Sequence, residues 1–371
     1  MKSNAWPRVL AAGCSMFMLA PAILLFGDAR PAVPTAAAGD VSIVASPANI
    51  QQFFRDRYQI PDSTRVDAQP MQRSGVPHFY QTVVIINDEK QPRTFSAFLT
   101  DDSRCLAIGA AFALSGASEA EIIRCLRQAA SLPPAARVTL GSLTRTRMEG
   151  FLRSTVTVEL GGKSQAGELY VTADRRAGVL GLLLPYRRDF VEQLIDTQNQ
   201  PTKGAAHAPV TIVEYADLEC PGCALFQKFL ETEFLPKYGS RTRIIFKEFP
   251  LAFHPWSAVA AVANECANLI LPSTYFGYRS LIFTSQESIN TTNVRDRLLT
   301  LGESAGLNRA KLGACLDAKA SQGRVQASRA EGETLGIAGT PTFVINGRVI
   351  WGTPPPATFY KMVDEALAAV K

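Results

Sequence analysis

Residues 210–223 read VTIVEYADLECPGC, and this stretch decides the fold of the second half of the chain. Val210 to Tyr215 is an apolar, β-branched run suited to a buried strand. ADLE (216–219) is a short turn. PGCALFQKFLETEFLPKYG, from Pro221 to Gly239, reads as a helix with Pro at its first position and Gly at its end. Cys220 therefore stands immediately before a helix, where unpaired N–H groups and the positive end of the dipole favour a thiolate. Cys223, one turn on, can attack a mixed disulfide formed on Cys220, which is what thiol–disulfide exchange needs. Glu214 lies six positions before Cys220 on the strand; buried, its carboxyl could exchange a proton with Cys223. The alternative is a solvated strand-end acid. A zinc site needs four soft or imidazole ligands, and the chain has no second CxxC and only His78, His207 and His254. No metal is assigned. A purely structural 220–223 disulfide is geometrically open, but a helix N-terminus is the place to make a thiol reactive, so the pair reads as redox-active.

Outward from this stretch, TRIIFKEF (242–249) is a second strand, and alanine-rich periodicity predicts helices from about 254 to 333. GTPTFVINGRVIWG (339–352) is a hairpin around Asn346-Gly347. PATFYKMVDEALAAV (356–370) is a closing amphipathic helix. That order is an α/β thioredoxin-like domain with an inserted helical subdomain.

VTIVEYADLECPGC, FKEFPLAFHP, AVAAVANECANL and GIAGTPTFVINGRVIWGTPP together resemble the DsbA-like thiol:disulfide oxidoreductases, in the subgroup with GTPTF and extra helical-domain cysteines. The resemblance runs from Pro209 to Lys371. It implies that Thr340-Pro341 is a cis-proline facing the redox pair and offering backbone to a substrate. It also implies a structural disulfide between Cys266 and Cys315, and chemistry that needs no cofactor. The strongly oxidising members carry Pro-His between the cysteines; here Gly222 supplies no cation. The helix terminus alone is worth about 0.3–2 kcal/mol, so Cys220 is expected to be moderately depressed and the couple less oxidising than DsbA.

The 371-residue chain divides further. Its 38 basic and 33 acidic residues leave a net charge of +5, too mild for nucleic acid as a partner. Residues 1–40 read as an export signal: Lys2 and Arg8, an apolar run from Val9 to Gly27, then Ala36–Ala38 as a cleavage site. An uncleaved anchor at 9–27 is the alternative, and either places the rest in a periplasmic or otherwise extracytoplasmic compartment.

Residues 41–190 contain a repeat. SPANIQQFFRDRYQIPDSTRV, from Ser46, aligns gaplessly with SEAEIIRCLRQAASLPPAARV, from Ser118 (118 − 46 = 72). Pairs such as Ile50/Ile122, Phe79/Phe151, Asp102/Asp174 and Gly109/Gly181 agree. The reading is an α+β tandem repeat, 46–117 and 118–189, each copy a helix followed by a three-stranded antiparallel sheet. A dimerisation or docking role is assigned by analogy. His78 and Asp101/Asp102 read as surface or turn residues. For Cys105, near a strand end, and Cys125, within the next helix, the expected reading is a disulfide tying strand to helix, and the alternative is two unrelated buried thiols. Residues 191–208 are a helix end and linker.

The expected function is an exported thiol–disulfide oxidoreductase that forms disulfides in unfolded or cysteine-containing exported proteins, with a membrane or soluble redox partner. A dimeric isomerase or reductase and a metal-clip or chaperone module are the alternatives.

Overall fold

The computed structural model describes residues 45–87, 92–116 and 118–370. The segment read as signal or anchor lies outside the described residues. The chain divides into two units between Phe190 and Val191.

The first unit begins with helix α1 (Pro47–Tyr58), capped by Ser46, whose Oγ accepts from Asn49 N at 3.3 Å. Strands β1 (Arg65–Ala68), β2 (Gln72–Arg73), β3 (Phe79–Asn87), β4 (Pro92–Thr100) and β5 (Cys105–Ala113) follow. Helix α2 (Glu119–Ala129) is capped in the same way by Ser118, accepting from Glu121 N at 3.3 Å. After it come β6 (Arg137–Leu140), β7 (Thr144–Arg145), β8 (Phe151–Leu160), β9 (Lys163–Thr172) and β10 (Ala177–Pro185), then helix α3 (Arg188–Leu194). Four of the five strand starts recur at one offset: 137 − 65, 144 − 72, 151 − 79 and 177 − 105 all equal 72.

All ten strands form one antiparallel sheet in the order β1-β3-β4-β5-β10-β9-β8-β6, with β2 on β3 and β7 on β8. Five strands stand before α2 and five after it, where the sequence suggested three and three. RVDA buries only Val66 and is too short to show alternation. The two sets join where β5 pairs β10 from Cys105↔Pro185 to Ala113↔Ala177. Gly109 faces Gly181 there, with φ of 145° and 140°, and a Cβ on Gly109 would stand 2.2 Å from the Leu180 carbonyl oxygen. Only glycine allows so close an approach. His78 and Asp101 lie at turns; His78 Nε2 meets Asp174 Oδ2 at 2.7 Å, linking the turn before β3 to the turn after β9.

The expected Cys105–Cys125 bridge is absent: both are free and buried. Cys125 belongs to an apolar cluster with Phe112 and Leu114, at the far end of β5 from Cys105. Seven strand residues span about 23 Å, well beyond the ~7 Å Cα limit for a bridge. Cys105 instead lies beside Met148, Sγ to Sδ 3.9 Å.

In the second unit, β12 (Val210–Ala216) is the centre of a five-stranded sheet, order β11-β13-β12-β14-β15. It runs parallel to β13 (Thr242–Glu248) and antiparallel to β14 (Thr342–Ile345). β11 (Thr202–Gly204), inside the segment read as linker, pairs with β13. Asn346 and Gly347, both at positive φ, turn β14 into β15 (Arg348–Trp351). After β12, α4 (Pro221–Phe229) leads through a π-turn (Leu230–Phe234) into α5 (Leu235–Tyr238); Pro236 has no N–H to continue the α-helical ladder.

Helix α11 (Pro356–Ala369) closes the core. Its Phe359 ring stands 4.9 Å from that of Phe226, which is 4.2 Å from Phe343. The helical insertion comprises α6 (Ser257–Ile270), α7 (Tyr275–Thr284), α8 (Val294–Ser304), α9 (Arg309–Asp317) and α10 (Gln322–Thr334). Cys266 and Cys315 form a disulfide across α6 and α9. Among the described residues no helix is long and apolar enough to cross a membrane.

Candidate active site

Cys220 is the N-cap of α4, and its carbonyl accepts from Cys223 N (3.1 Å) and Ala224 N (3.2 Å). The pair stands as two thiols, Cys220 8% exposed and Cys223 fully buried. The turn ahead of them is fastened on three sides. Asp217 Oδ2 accepts from Leu251 N and meets His254 Nδ1, both at 2.8 Å. Glu219 Oε2 accepts from Trp256 N at 2.8 Å, and Gln286 Nε2 donates to the carbonyls of Leu218 (2.8 Å) and Cys220 (3.2 Å). The insertion thus fixes the turn that carries the redox pair.

The Thr340–Pro341 peptide is cis, and Cys220 Sγ lies 3.4 Å from the Thr340 carbonyl oxygen. A Cβ added to Gly222 would stand 3.5 Å from Pro341 Cδ and 3.7 Å from Cys220 Sγ, so Pro341 closes directly over the CPGC turn.

The two thiols have opposite acidities. A hydrogen bond from the Cys223 thiol is the largest influence pulling Cys220 down, to about 6. Burial opposes it, while Thr340 and the N–H groups of Cys223 and Gly222 reinforce it. Burial drives Cys223 well above the usual thiol range, and sharing its proton with Cys220 adds to that. The depression of Cys220 exceeds what the helix terminus alone predicts, because the second cysteine contributes the larger part.

Glu214 sits mid-strand in β12, opposite Phe246 and Phe343, with no exposure. That excludes the solvated strand-end reading. Its Oε2 accepts from Arg279 Nη2 at 3.2 Å. Burial raises its pKa above the usual carboxylate range, Arg279 opposes, and the charge on Cys220 raises it further. Arg279 and Glu248 are residues that sequence reasoning missed. The available signal was one cation within the apolar helix YFGYRSLIFT; nothing in the order of the chain says which carboxylates it meets.

A thiolate-forming cysteine and a proton-holding partner one turn apart are the requirement for disulfide exchange, and the C-terminal unit is a thioredoxin-fold thiol–disulfide oxidoreductase domain. Residues 196–365, just under half of the chain, match the family model described as Thioredoxin. Among curated proteins, the chain is 26% identical over 156 residues to Disulfide bond formation protein D of Bacillus subtilis, covering 41% of this chain and 70% of that protein. It is 28% identical over 172 residues to Na(+)/H(+) antiporter NhaA 3 of Salinispora tropica, covering 46% of this chain and only 24% of the antiporter. The chain thus spans about a quarter of the length of the antiporters it matches. Solved structures similar to it include oxidised BdbD of Bacillus subtilis (23% identity, TM-score 0.43, 47% of this chain and 95% of that one). Another is α-DsbA1 of Wolbachia pipientis (24%, TM-score 0.43, 48% and 96%).

Proposed function

We propose that the protein is an exported, extracytoplasmic oxidoreductase that donates disulfides to cysteine-containing protein substrates through Cys220 and Cys223. The observation that carries this is Cys220 at the N-cap of α4, its Sγ 3.4 Å from the carbonyl of the cis Thr340–Pro341 peptide, one turn before the fully buried Cys223. A substrate thiolate attacks Cys220 Sγ of the oxidised pair; the 220–223 bond breaks and its electron pair leaves on Cys223. A second substrate thiolate then attacks the substrate sulfur of the mixed disulfide, releasing Cys220 as a thiolate that is stable at neutral pH. Glu214 supplies the proton that Cys223 takes, and takes it back when a disulfide-bearing redox partner reoxidises the pair. Thr340-Pro341 presents backbone to the incoming chain.

The potential follows from the acidity. Thioredoxin titrates near 7 at about −270 mV and DsbA near 3.5 at about −120 mV. Cys220, at about 6, lies between them. With about 1.4 kcal/mol per pKa unit and about 30 mV per 1.4 kcal/mol, the couple should sit at roughly −190 to −240 mV. Structural disulfides of secreted proteins lie below about −300 mV, so donation to them remains downhill. Equilibration with glutathione buffers and trapping of the reduced fraction measures this. A value at or below about −270 mV would make the protein a reductant, and one at or above about −120 mV would contradict the acidity argument.

Residues 46–117 and 118–189 are proposed to be a duplicated unit serving as a dimerisation or docking module. The shared 72-residue offset of helix, caps and strands supports the duplication. Sedimentation of the exported portion is expected to give a dimer mass; a monomer at tens of micromolar would remove the dimer reading.

A further inference from the structure

A cluster that chain order conceals lies buried with the redox pair. Arg279 on α7 donates from Nη2 to Glu214 Oε2 (3.2 Å), from Nη1 to Glu248 Oε1 (3.4 Å) and from Nε to Gln227 Oε1 (3.4 Å). Glu248 Oε1 also accepts from Asn264 Nδ2 (2.7 Å) and Tyr275 OH (3.1 Å). Arg279 and Glu214 have no exposure and Glu248 has 1%. Each carboxylate keeps one buried oxygen, Glu214 Oε1 and Glu248 Oε2, without a hydrogen-bond partner among the described residues. A bare, ionised oxygen in such a site is costly, and a proton relieves it. One guanidinium facing two carboxylates balances one of them, so the cluster as a whole favours holding a single proton.

We propose that Arg279 is a positioning residue of the exchange reaction, shared between Glu214 and Glu248 so that one proton can rest on either carboxylate while Arg279 pairs with the other. This rests on the relay assigned to Glu214 above. When the 220–223 disulfide opens, Cys223 leaves with the electron pair and takes the proton from Glu214; Arg279 then compensates the new carboxylate. When the redox partner has formed a mixed disulfide with Cys220, the Cys223 thiol gives its proton to Glu214. Its sulfur attacks Cys220 Sγ, and the partner's sulfur leaves as a thiolate. Burial raises both carboxylates, Glu248 to about 7, with Arg279 opposing. The charged or titratable groups acting on the cluster are Cys220 and Cys223, Tyr275 on α7 and Glu265 on α6. Lys247, beside Glu248, is committed to Glu331 at 2.6 Å.

The experiment follows glutathione release from the Cys220–glutathione mixed disulfide of the full chain, between pH 5 and 9. Arg279→Met should move the midpoint of the pH–rate profile up by a unit or more, making release about tenfold slower at pH 7; Arg279→Lys should restore most of it. Glu248→Gln, which leaves Arg279 to Glu214 alone, should move the midpoint down. A folded Arg279→Met with the wild-type profile overturns the proposal. Should that variant not fold, an unmoved or upward profile in Glu248→Gln overturns it instead. Glu214→Gln separates the two ideas. A wild-type profile in that variant sinks the relay itself, whereas a flattened one with Arg279→Met and Glu248→Gln unmoved sinks only the role of Arg279.

Discussion

Cys220→Ser is expected to lower oxidation of a reduced protein substrate by at least about 10³-fold, since a hydroxyl is not ionised near pH 7 and forms no disulfide. Cys223→Ala should keep the first half of the reaction and accumulate mixed disulfides on Cys220, because nothing remains to resolve them. The thiolate can be watched directly. Alkylation of the reduced protein should rise with a midpoint at about pH 6, well below that of an ordinary thiol, because Cys220 is depressed to about 6 from 9.0. Stability must follow. A group whose folded value is depressed stabilises the fold above its unfolded value, and the gain disappears as pH falls through the folded value. For Cys220 the gain therefore builds between pH 6 and 9, by roughly 1.4 kcal/mol per unit and about 4 kcal/mol in all at most. Cys223, raised by burial, works against the fold only above the ordinary thiol value. Glu248 and Glu214 also titrate in the fold, so the informative quantity is reduced wild type minus reduced Cys220→Ser. If that difference stays flat from pH 6 to 9, Cys220 is not the stabilised thiolate.

What the sequence disclosed follows the range of the interactions involved. The strand, the turn and the helix start around CPGC depend on neighbours, and VTIVEY, Pro221 and Asn346-Gly347 each carry their own local signal. Pairing across long separations does not. Arg279 reaches Glu214 over 65 positions and Glu248 over 31, and no periodicity in α7 marks those targets. β11 was hidden for another reason: TKG has no apolar pattern, and its strand character comes only from docking on β13. The Cys105–Cys125 expectation failed because a cysteine near a strand end and one in the next helix do not say which end of a nine-residue strand the helix covers. The 266–315 pairing was legible only through resemblance, since a separation of 49 positions leaves no local trace.

That disulfide should account for a large share of the stability of the second unit. It closes a 49-residue loop between α6 and α9, for which chain entropy gives about 4 kcal/mol at 25 °C, against a typical total of about 5–15 kcal/mol. Cys266 is fully buried in the apolar cluster that also contains Ala216, Leu218, Cys220 and Cys223. The same insertion holds the redox turn through Gln286 and delivers Arg279. Replacing Cys266 and Cys315 together by Ala should therefore lower the thermal midpoint by about 8–16 °C, taking about 2–4 °C per kcal/mol for a unit of this size. Below the transition the insertion still packs by its own core, Tyr278, Ile282, Leu298 and Leu312, so the Cys220–Cys223 potential should stay within about 30 mV of wild type, one pKa unit's worth. A midpoint shift under about 3 °C would mean that the loop is already held in the unfolded ensemble. An intact midpoint with a displaced potential would assign the bridge to the redox site instead of the fold.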